Sequence, residues 1–159
     1  AGHRRFGIIA GPADSYVGEE RRRAAMEHLA KAGLEPPPFV RGDFGYVSGG
    51  EGLRQLMEQD KKLDAIICAN DLMAIGVIDA AREDYGLKIP DDISIVGFDG
   101  AGPASWLSYR VTSIRQPVGR MTEAAVAMLM ERVEEDAPIE SRQFVGEFVA
   151  GASARLKAH

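Results

Sequence analysis

Polar side chains follow each of four short apolar runs, which cover residues 6–10, 39–41, 64–68 and 93–98. The polar residues after these runs are Asp14, Ser15, Asp43, Asn70, Asp71 and Asp99, and an aromatic residue, Phe44, stands beside one of them. Carboxylates and carboxamides hydrogen-bond neighbouring hydroxyl groups, and a flat ring stacks on the apolar face of a sugar. The set predicts a site for an uncharged polyol such as a sugar. Each residue taken alone is equally typical of a turn or a helix cap.

Arg21 is a further candidate for contact with a ligand. It lies on the inward face of the first predicted helix, near the N-terminus, where the helix dipole disfavours a cation. It could donate hydrogen bonds to a ligand, or it could belong with Arg22 and Arg23 to a solvated basic run. The pattern alone leaves both interpretations open for Arg21 and favours the basic run for the other two.

Motifs for enzyme chemistry are missing from the sequence. There is no G-x-G-x-x-G after the first run, no G-x-x-x-x-G-K-[ST] and no G-x-S-x-G. Cys68 lies inside an apolar run, where a thiol is usually inert. His3, His28 and His159 are too scattered to suggest a metal site or a nucleophile–base pair. We therefore expect no catalytic residue, no metal and no cofactor.

Composition and charge narrow the class of protein. The chain has 159 residues, of which 45% are hydrophobic, and a formal net charge of −5. These values are typical of a globular domain, and the acidic balance argues against this chain itself being a DNA-binding surface. The single cysteine excludes a disulfide framework. No apolar run is as long as the roughly 18 residues that a membrane span needs.

The elements that would position these residues alternate along the chain. Strands are predicted over the four apolar runs and helices over residues 17–32, 48–57 and 72–85, followed by a strand at 111–114, a helix at 118–135 and a strand at 144–149. Ser48 and Glu51 have capping-box spacing for the second helix, and Asp71 is placed to cap the third. Buried strands alternating with helices predict an α/β fold, a parallel sheet with helices on both faces. Ligands of such sheets bind beyond the carboxyl ends of the strands.

Four segments resemble the LacI/GalR (lactose-repressor-like) family of transcriptional regulators. They are GHRRFGIIAGP at 2–12, CANDLMAIG at 68–76, PDDISIVGFD at 90–99 and TSIRQP at 112–117. They occur in the family's order and span most of the chain. The resemblance implies a Rossmann-like sheet of the periplasmic-binding-protein-like type I class, seen here as its C-terminal lobe, which senses a small effector, often a sugar.

The resemblance also assigns roles to residues. Arg21 matches the effector-contacting arginine of the family, Asn70 and Asp99 match contacts to ligand hydroxyls, and Phe44 matches a stacking aromatic. Asp14 and Ser15 would line the same crevice, and Gln116 and Val118 lie where the chain crosses between lobes. One departure is that Ala24 and Ala25 stand where the family usually has glycine and then an aromatic, which puts the packing behind Arg21 in question.

The organisation implied by the resemblance is that of a fragment. Residues 1–113 would form the C-terminal lobe, 114–145 the crossover and part of the N-terminal lobe, and 146–159 a return strand and tail. Linkers are predicted at 36–38 and 136–142. The helix-turn-helix domain and most of the N-terminal lobe are absent from the sequence, so operator DNA would be bound only through the missing domain. A cytoplasmic homodimer with no membrane contact is expected.

Two helices carry more apolar surface than a single sheet face requires. The surplus on the predicted helix 72–85 suggests a second burial partner. The resemblance implies that this helix helps to form a dimer with Ile75 and Ile78 on the contact face; the alternative is that one dense core covers the whole helix. The apolar side of the predicted helix 118–135 has no intact lobe to cover it. We expect it to dock on a neighbouring copy or to fold onto its own lobe.

Two other functions share the predicted fold. A transport receptor for sugars would have the same two-lobe architecture, but an export signal would precede it. A doubly wound α/β enzyme is the other alternative, and the missing phosphate-binding loops argue against it.

Overall fold

A computed structural model describes residues 1–100, 102–135 and 140–157. Four strands form one parallel sheet in the order β2-β1-β3-β4: β1 is Phe6–Ala10, β2 is Phe39–Arg41, β3 is Ala65–Cys68 and β4 is Ser94–Val96. The helices between them are α1 (Tyr16–Lys31), α2 (Tyr46–Gln59) and α3 (Asp71–Tyr85). The predicted parallel α/β sheet is confirmed.

The chain continues beyond the four-stranded sheet with a strand β5 (Ser113–Arg115), a helix α4 (Val118–Glu135) and a strand β6 (Glu147–Val149). Strands β5 and β6 pair with each other in antiparallel orientation. A 3-10 helix, Gly102–Ser105, lies between β4 and β5. The predicted linker at 136–142 falls partly on residues 136–139, and the predicted tail ends on residues 158–159. Both stretches lie outside the described residues.

Side chains of β1 alternate between two cores because successive strand residues point to opposite faces. Ile8 and Ala10 pack with Leu29 of α1 on one face. Ile9 packs on the other face, in the larger core that α2 and α3 cover. Helices therefore lie on both faces, and α1 reaches the same sheet edge as the start of α3.

Two helix caps differ from the sequence prediction. Asn70, not Asp71, caps α3, since its side-chain oxygen accepts a hydrogen bond from the backbone N–H of Met73 at 3.0 Å. The capping box at Ser48 is wrong because α2 already begins at Tyr46, after Gly45. Ser48 instead lies in the first turn, where its hydroxyl donates to the Gly45 carbonyl oxygen at 2.9 Å.

Ile75 and Ile78 lie inside the chain's own core, with 4% and 0% of their surface exposed. Neither side chain can meet a second copy, so the prediction that they form a dimer contact is corrected. The alternative, a dense core around α3, is what the structure has. Ile75 and Ile78 share this core with residues of α2, β3 and β4, and α2 itself lies against the side of α3 that carries Met73, Gly76 and Ala80.

Helix α4 does not fold back onto the four-stranded sheet. Its apolar residues Val126, Leu129 and Val133 are 55%, 62% and 73% exposed. Of the two expectations for this helix, folding onto its own lobe is therefore wrong, and docking on a neighbouring copy stays a prediction. Within the described ranges, no helix combines the length and the hydropathy needed to cross a bilayer.

Candidate functional site

Arg21 crosses the carboxyl edge of the sheet and is held on three sides. Its guanidinium donates to the Ala69 carbonyl oxygen at 2.7 Å and forms an ion pair with the Asp99 carboxylate, with 3.0 Å between Nη2 and Oδ1. It also lies 4.0 Å from the centroid of the Phe98 ring, a cation–π distance. The Arg21 side chain is only 17% exposed. It therefore does not belong to a solvated basic run.

Arg22 and Arg23 do belong to the charged surface of α1. Arg22 pairs with Glu19, and Arg23 pairs with Glu20 and Glu27. The hydrogen bonds from Arg22 and then Arg41 lower the pKa of Glu19 to about 2. The positive charge of these arginines is thus matched along the helix, and Arg21 alone of the three is directed to the strand ends.

Asp99 lies in the turn after β4, which ends at Val96, and it contacts Gln116 in the segment that leads from β5 to α4. Its Oδ1 accepts a hydrogen bond from the side-chain amide of Gln116 at 2.7 Å as well as the ion pair with Arg21. Its φ is 112°, a left-handed backbone that residues other than glycine rarely adopt. Strained conformations of this kind persist where the surrounding structure holds them, often at binding sites.

Asn70 lies at the same edge, one residue after the carbonyl that Arg21 contacts. Its amide nitrogen donates to the Phe44 carbonyl oxygen at 2.8 Å, while its oxygen caps α3. Both ends of the carboxamide are therefore engaged within the chain. Asn70 positions the backbone of Phe44 and the start of α3, which is the structural role that the sequence left open.

Phe44 projects from the turn after β2 with a φ of 67°. Its ring lies over Gly11 and Gly18, at the turn between β1 and α1, where a Cβ at Gly11 would overlap the ring. The glycines let a flat ring pack against the backbone of that turn. Phe44 is half-buried and stays at the strand ends, as the sequence predicted.

The remaining candidate residues mostly cap a helix or link neighbouring elements. Ser15 is the N-cap of α1, since its hydroxyl oxygen accepts from the Gly18 N–H at 3.1 Å. Asp14 is exposed on the same turn. Asp71 is fully buried and accepts from the Ser113 hydroxyl at 2.6 Å, which ties the start of α3 to β5. The edge thus brings together Arg21, Asn70, Asp99 and Gln116, with Phe44 beside Asn70.

An apolar cavity of about 520 Å³, not predicted from the sequence, lies behind Arg21. It opens between α1 and the β5–β6 pair, and its wall includes Ala24, Ala25, Ile67, Val96, Phe98 and Phe148. The sequence signal for this cavity is the pair of small residues Ala24 and Ala25 on α1. An aromatic side chain at that position of α1 would fill part of this space.

Among the described residues of this edge, no reactive groups are brought together. Burial, with the nearby Asp71 charge adding to it, raises the pKa of the Cys68 thiol far above its ordinary range, so the thiolate nucleophile is suppressed. Among the residues that the structure describes, no three His, Cys, Asp or Glu side chains are grouped so as to hold a metal ion. What this edge presents is an ion pair of zero net charge, with an aromatic ring near it.

Comparison with known proteins decides the family. The model of the periplasmic binding protein-like domain matches residues 1–154. The chain belongs to this family. A similar curated protein is the HTH-type transcriptional repressor PurR of Klebsiella pneumoniae. It is 37% identical to this chain over 134 residues, which are 83% of this chain and 39% of that protein. The chain thus spans about two fifths of the length of this curated relative.

Solved structures of the family share the fold. The transcriptional regulator CelR in complex with cellobiose superimposes with a TM-score of 0.90 at 31% identity, over 96% of this chain and 47% of that chain. The dimeric lac repressor with an 11-residue C-terminal deletion has a TM-score of 0.89 at 25% identity, over 96% of this chain and 56% of that one. The resemblance to LacI/GalR regulators, with the type I periplasmic-binding-protein-like fold, is confirmed.

Proposed function

We propose that this chain is the effector-sensing part of a LacI-family transcriptional regulator, with its ligand bound at the carboxyl edge of the sheet. The observation that carries the proposal is the Arg21–Asp99 ion pair, which is held in place at that edge by Ala69, Phe98 and Gln116. Preformed polar groups on a rigid sheet edge are the usual way in which open α/β folds bind small molecules.

The chemistry of the edge favours an uncharged polyol. The charges of Arg21 and Asp99 cancel, so a ligand with a net charge would gain no strong pairing there. Asp99 can accept hydrogen bonds from hydroxyl groups, and the Phe44 ring can stack on a sugar face. The relative CelR was solved with cellobiose, which supports a sugar as the class of effector.

The proposed mechanism is allosteric and makes no covalent bond. Effector bound between two lobes shifts the regulator toward one conformation by its differential affinity for the two, and operator binding changes with it. In this proposal residues 1–113 form one lobe, 114–145 the crossover and part of the other, and 146–159 the return strand and tail. Operator DNA is contacted by a separate helix-turn-helix domain in the cytoplasm. The relatives named above are two repressors and one transcriptional regulator, which favours this function over a doubly wound enzyme.

A thermal-shift screen tests the proposed ligand class. Cellobiose and a panel of other mono- and disaccharides are added to this chain and to the full-length regulator. At 100 times its Kd, a bound sugar stabilises a protein by about 2.7 kcal/mol, which corresponds to about 5–10 °C in Tm for a protein of this size. Charged metabolites of similar size serve as the control. A panel in which no sugar raises the Tm of either protein contradicts the proposal.

We also propose that the chain pairs with a second copy through the surface around Asp79. The hydroxyls of Tyr46 and Tyr109 both donate to the Asp79 carboxylate, at 2.9 and 3.0 Å, so α2, α3 and the loop after the 3-10 helix meet there. The same loop carries Trp106 and Leu107, which are 61% and 90% exposed. The dimeric lac repressor among the similar structures supports a homodimer.

Replacing Leu107 with aspartate is expected to weaken that dimer. A charge placed in an apolar contact loses its hydration without gaining a partner, and a change of this kind at an interface centre costs about 2 kcal/mol or more. Sedimentation velocity of the full-length regulator should then show monomer at concentrations where the parent is dimeric. Val17→Asp is the matched control, since Val17 is 49% exposed and lies on α1, on the other face of the sheet from this surface. A dimer that survives Leu107→Asp unchanged rules this surface out.

A further inference from the structure

A second cavity, of about 200 Å³, lies between the 3-10 helix and the β5–β6 pair. Two arginines, Arg110 and Arg115, line it, and among the described residues of its wall there is no aspartate or glutamate. Small residues, including Gly100, Ser105 and Gly151, form much of the remaining wall. We call this cavity the arginine groove. It concentrates positive charge in a chain whose formal net charge is −5.

Arg110 has a backbone conformation that does not suit an arginine. Its φ is 43°, in the left-handed region that glycine adopts without strain. Two backbone hydrogen bonds hold it there, because the Arg110 N–H donates to the Trp106 carbonyl oxygen at 2.9 Å and the Arg110 carbonyl oxygen accepts from the Ala152 N–H at 2.6 Å. A glycine or an asparagine would make the same two bonds. The fold therefore does not need the arginine side chain in order to hold this turn.

The Arg110 side chain is also without a partner in the part of the chain that the structure describes. It is exposed, and it forms no hydrogen bond or ion pair with a described residue. A residue that strains the backbone and makes no internal contact breaks a local rule without a compensating gain in the fold, and such positions are typical of binding sites. This combination indicates that the guanidinium contacts a molecule outside the chain.

Arg115 brings a second guanidinium to the arginine groove. A Cβ at Gly100 would lie 2.8 Å from Cα, Cβ and Cγ of Arg115, so the glycine lets the arginine stem lie over the turn after β4. Arg115 Nη1 lies 3.6 Å from Glu147 Oε2, and both side chains are more than half exposed. An exposed ion pair of this kind contributes little, so Arg115 can exchange Glu147 for another anion. Asp71 lies behind Ser113, which donates to it, and is fully buried.

We propose that the arginine groove binds a tetrahedral oxyanion, inorganic phosphate or the phosphate group of a metabolite, through Arg110 and Arg115. Guanidinium groups suit oxyanions because their planar fork of N–H donors pairs with two oxygens at once. The anion gives Arg110 a partner and replaces Glu147 as the partner of Arg115. This site is separate from the Arg21–Asp99 edge, and it does not rest on the sugar proposed for that edge.

Titration with inorganic phosphate tests the arginine groove in this chain and in the full-length regulator. Sodium chloride at the same ionic strength is the reference, so that charge screening alone is subtracted. We expect phosphate to raise the Tm of the parent above that in chloride. Isothermal titration should give a Kd that rises about tenfold in Arg110→Asn and in Arg115→Gln, because each loses charge-assisted hydrogen bonds. Arg4→Ala, at an exposed position outside the groove, is the matched control and should keep the parent Kd.

Arg110→Asn also separates a binding role from a structural one. Asparagine tolerates a positive φ better than arginine does. Without phosphate, this variant should therefore unfold at the parent Tm or slightly above it, although its affinity for phosphate is lower. A clearly lower Tm would show that the fold itself requires the arginine, and the assignment of Arg110 to an anion would be wrong.

Glucose 6-phosphate and glucose distinguish the two sources of the anion. A metabolite is the source if glucose 6-phosphate binds more tightly than inorganic phosphate and loses affinity in Arg110→Asn but not in Asp99→Asn. Free phosphate is the source if the two phosphates bind equally and glucose has no effect at this groove. Three results overturn the proposal: no phosphate response in the parent, a response that survives both arginine variants, or a response of this chain that the full-length regulator lacks. A sugar screen without a hit would leave it standing.

Discussion

Replacing Gly49 with alanine is expected to destabilise the fold by about 1–3 kcal/mol or more, as overpacked cores do. Gly49 lies in α2 where that helix touches α3. A Cβ built there would overlap the Met73 carbonyl oxygen and lie 2.7 Å from Met73 Cα, both of which are backbone atoms. Backbone cannot move aside as a flexible side chain can, so the two helices must separate. Urea unfolding followed by circular dichroism measures the loss as a lower midpoint at an unchanged slope.

Gly119→Ala is the matched control for that substitution. Gly119 lies in α4, and a Cβ there would meet nothing within 4 Å. Alanine in an exposed helix is favoured over glycine by up to about 1 kcal/mol, so this variant should be as stable as the parent or slightly more so. Equal stability of Gly49→Ala and the parent would show that α2 and α3 do not depend on glycine for their close contact.

The contact between α2 and α3 also explains which part of the fold the sequence could not predict. Periodicity places apolar residues on more than one side of α3, and it predicts that two neighbours bury them. It does not tell which neighbours. Gly49 and Gly76 let the backbones approach, since a Cβ at Gly76 would overlap the Tyr46 carbonyl oxygen. Helix α2 is therefore one of the neighbours of α3, against the side that carries Met73, Gly76 and Ala80, and Ile75 and Ile78 are buried within the same core.

The strands were more predictable than the helix caps. A strand that is buried on both faces of a parallel sheet has an unbroken apolar sequence. The strands β1 and β2 have the bounds that this pattern predicted. A cap depends on backbone angles at one residue. Asn70 and Asp71 are both suitable cap residues, and only the position of Asp71, buried against Ser113, decides that Asn70 is the cap of α3.

At the candidate site, the sequence could predict which residues reach the edge but not what they contact there. Parallel strands end at one edge, so Asp99 and Asn70 had to lie near one another. The three partners of Arg21 depend on how α1 packs on the β1 face of the sheet. The cavity behind Arg21 depends on the same packing, and Ala24 and Ala25 mark it only once α1 has been placed.

Asp99→Asn is expected to lower the affinity for the effector about ten- to a hundredfold. Hydrogen bonds to charged groups contribute about 1.5–3 kcal/mol, and each 1.4 kcal/mol is a factor of ten in Kd. The substitution removes the charge that balances Arg21, so an uncharged ligand would meet an excess cation. Asparagine keeps the shape of the side chain and an acceptor for Gln116, and it tolerates a positive φ better than most residues. The fold should therefore be retained.

Isothermal titration with the sugar that gives the largest thermal shift, cellobiose being the first tried, measures this loss in the full-length regulator. Asp84→Asn is the control. Asp84 forms an ion pair with Arg54 at 2.6 Å near the C-terminal end of α3. With a rise of 1.5 Å per residue along the helix, this position is about 20 Å from the edge of the sheet. A long-range effect of net charge would lower the affinity of both variants for the sugar alike. If affinity for the sugar falls in Asp99→Asn alone, the hydrogen-bond acceptor for the ligand lies at the edge of the sheet. Unchanged affinity in both would show that the ligand does not use this carboxylate, and the Arg21–Asp99 pair would then be a structural clamp between α1 and β4.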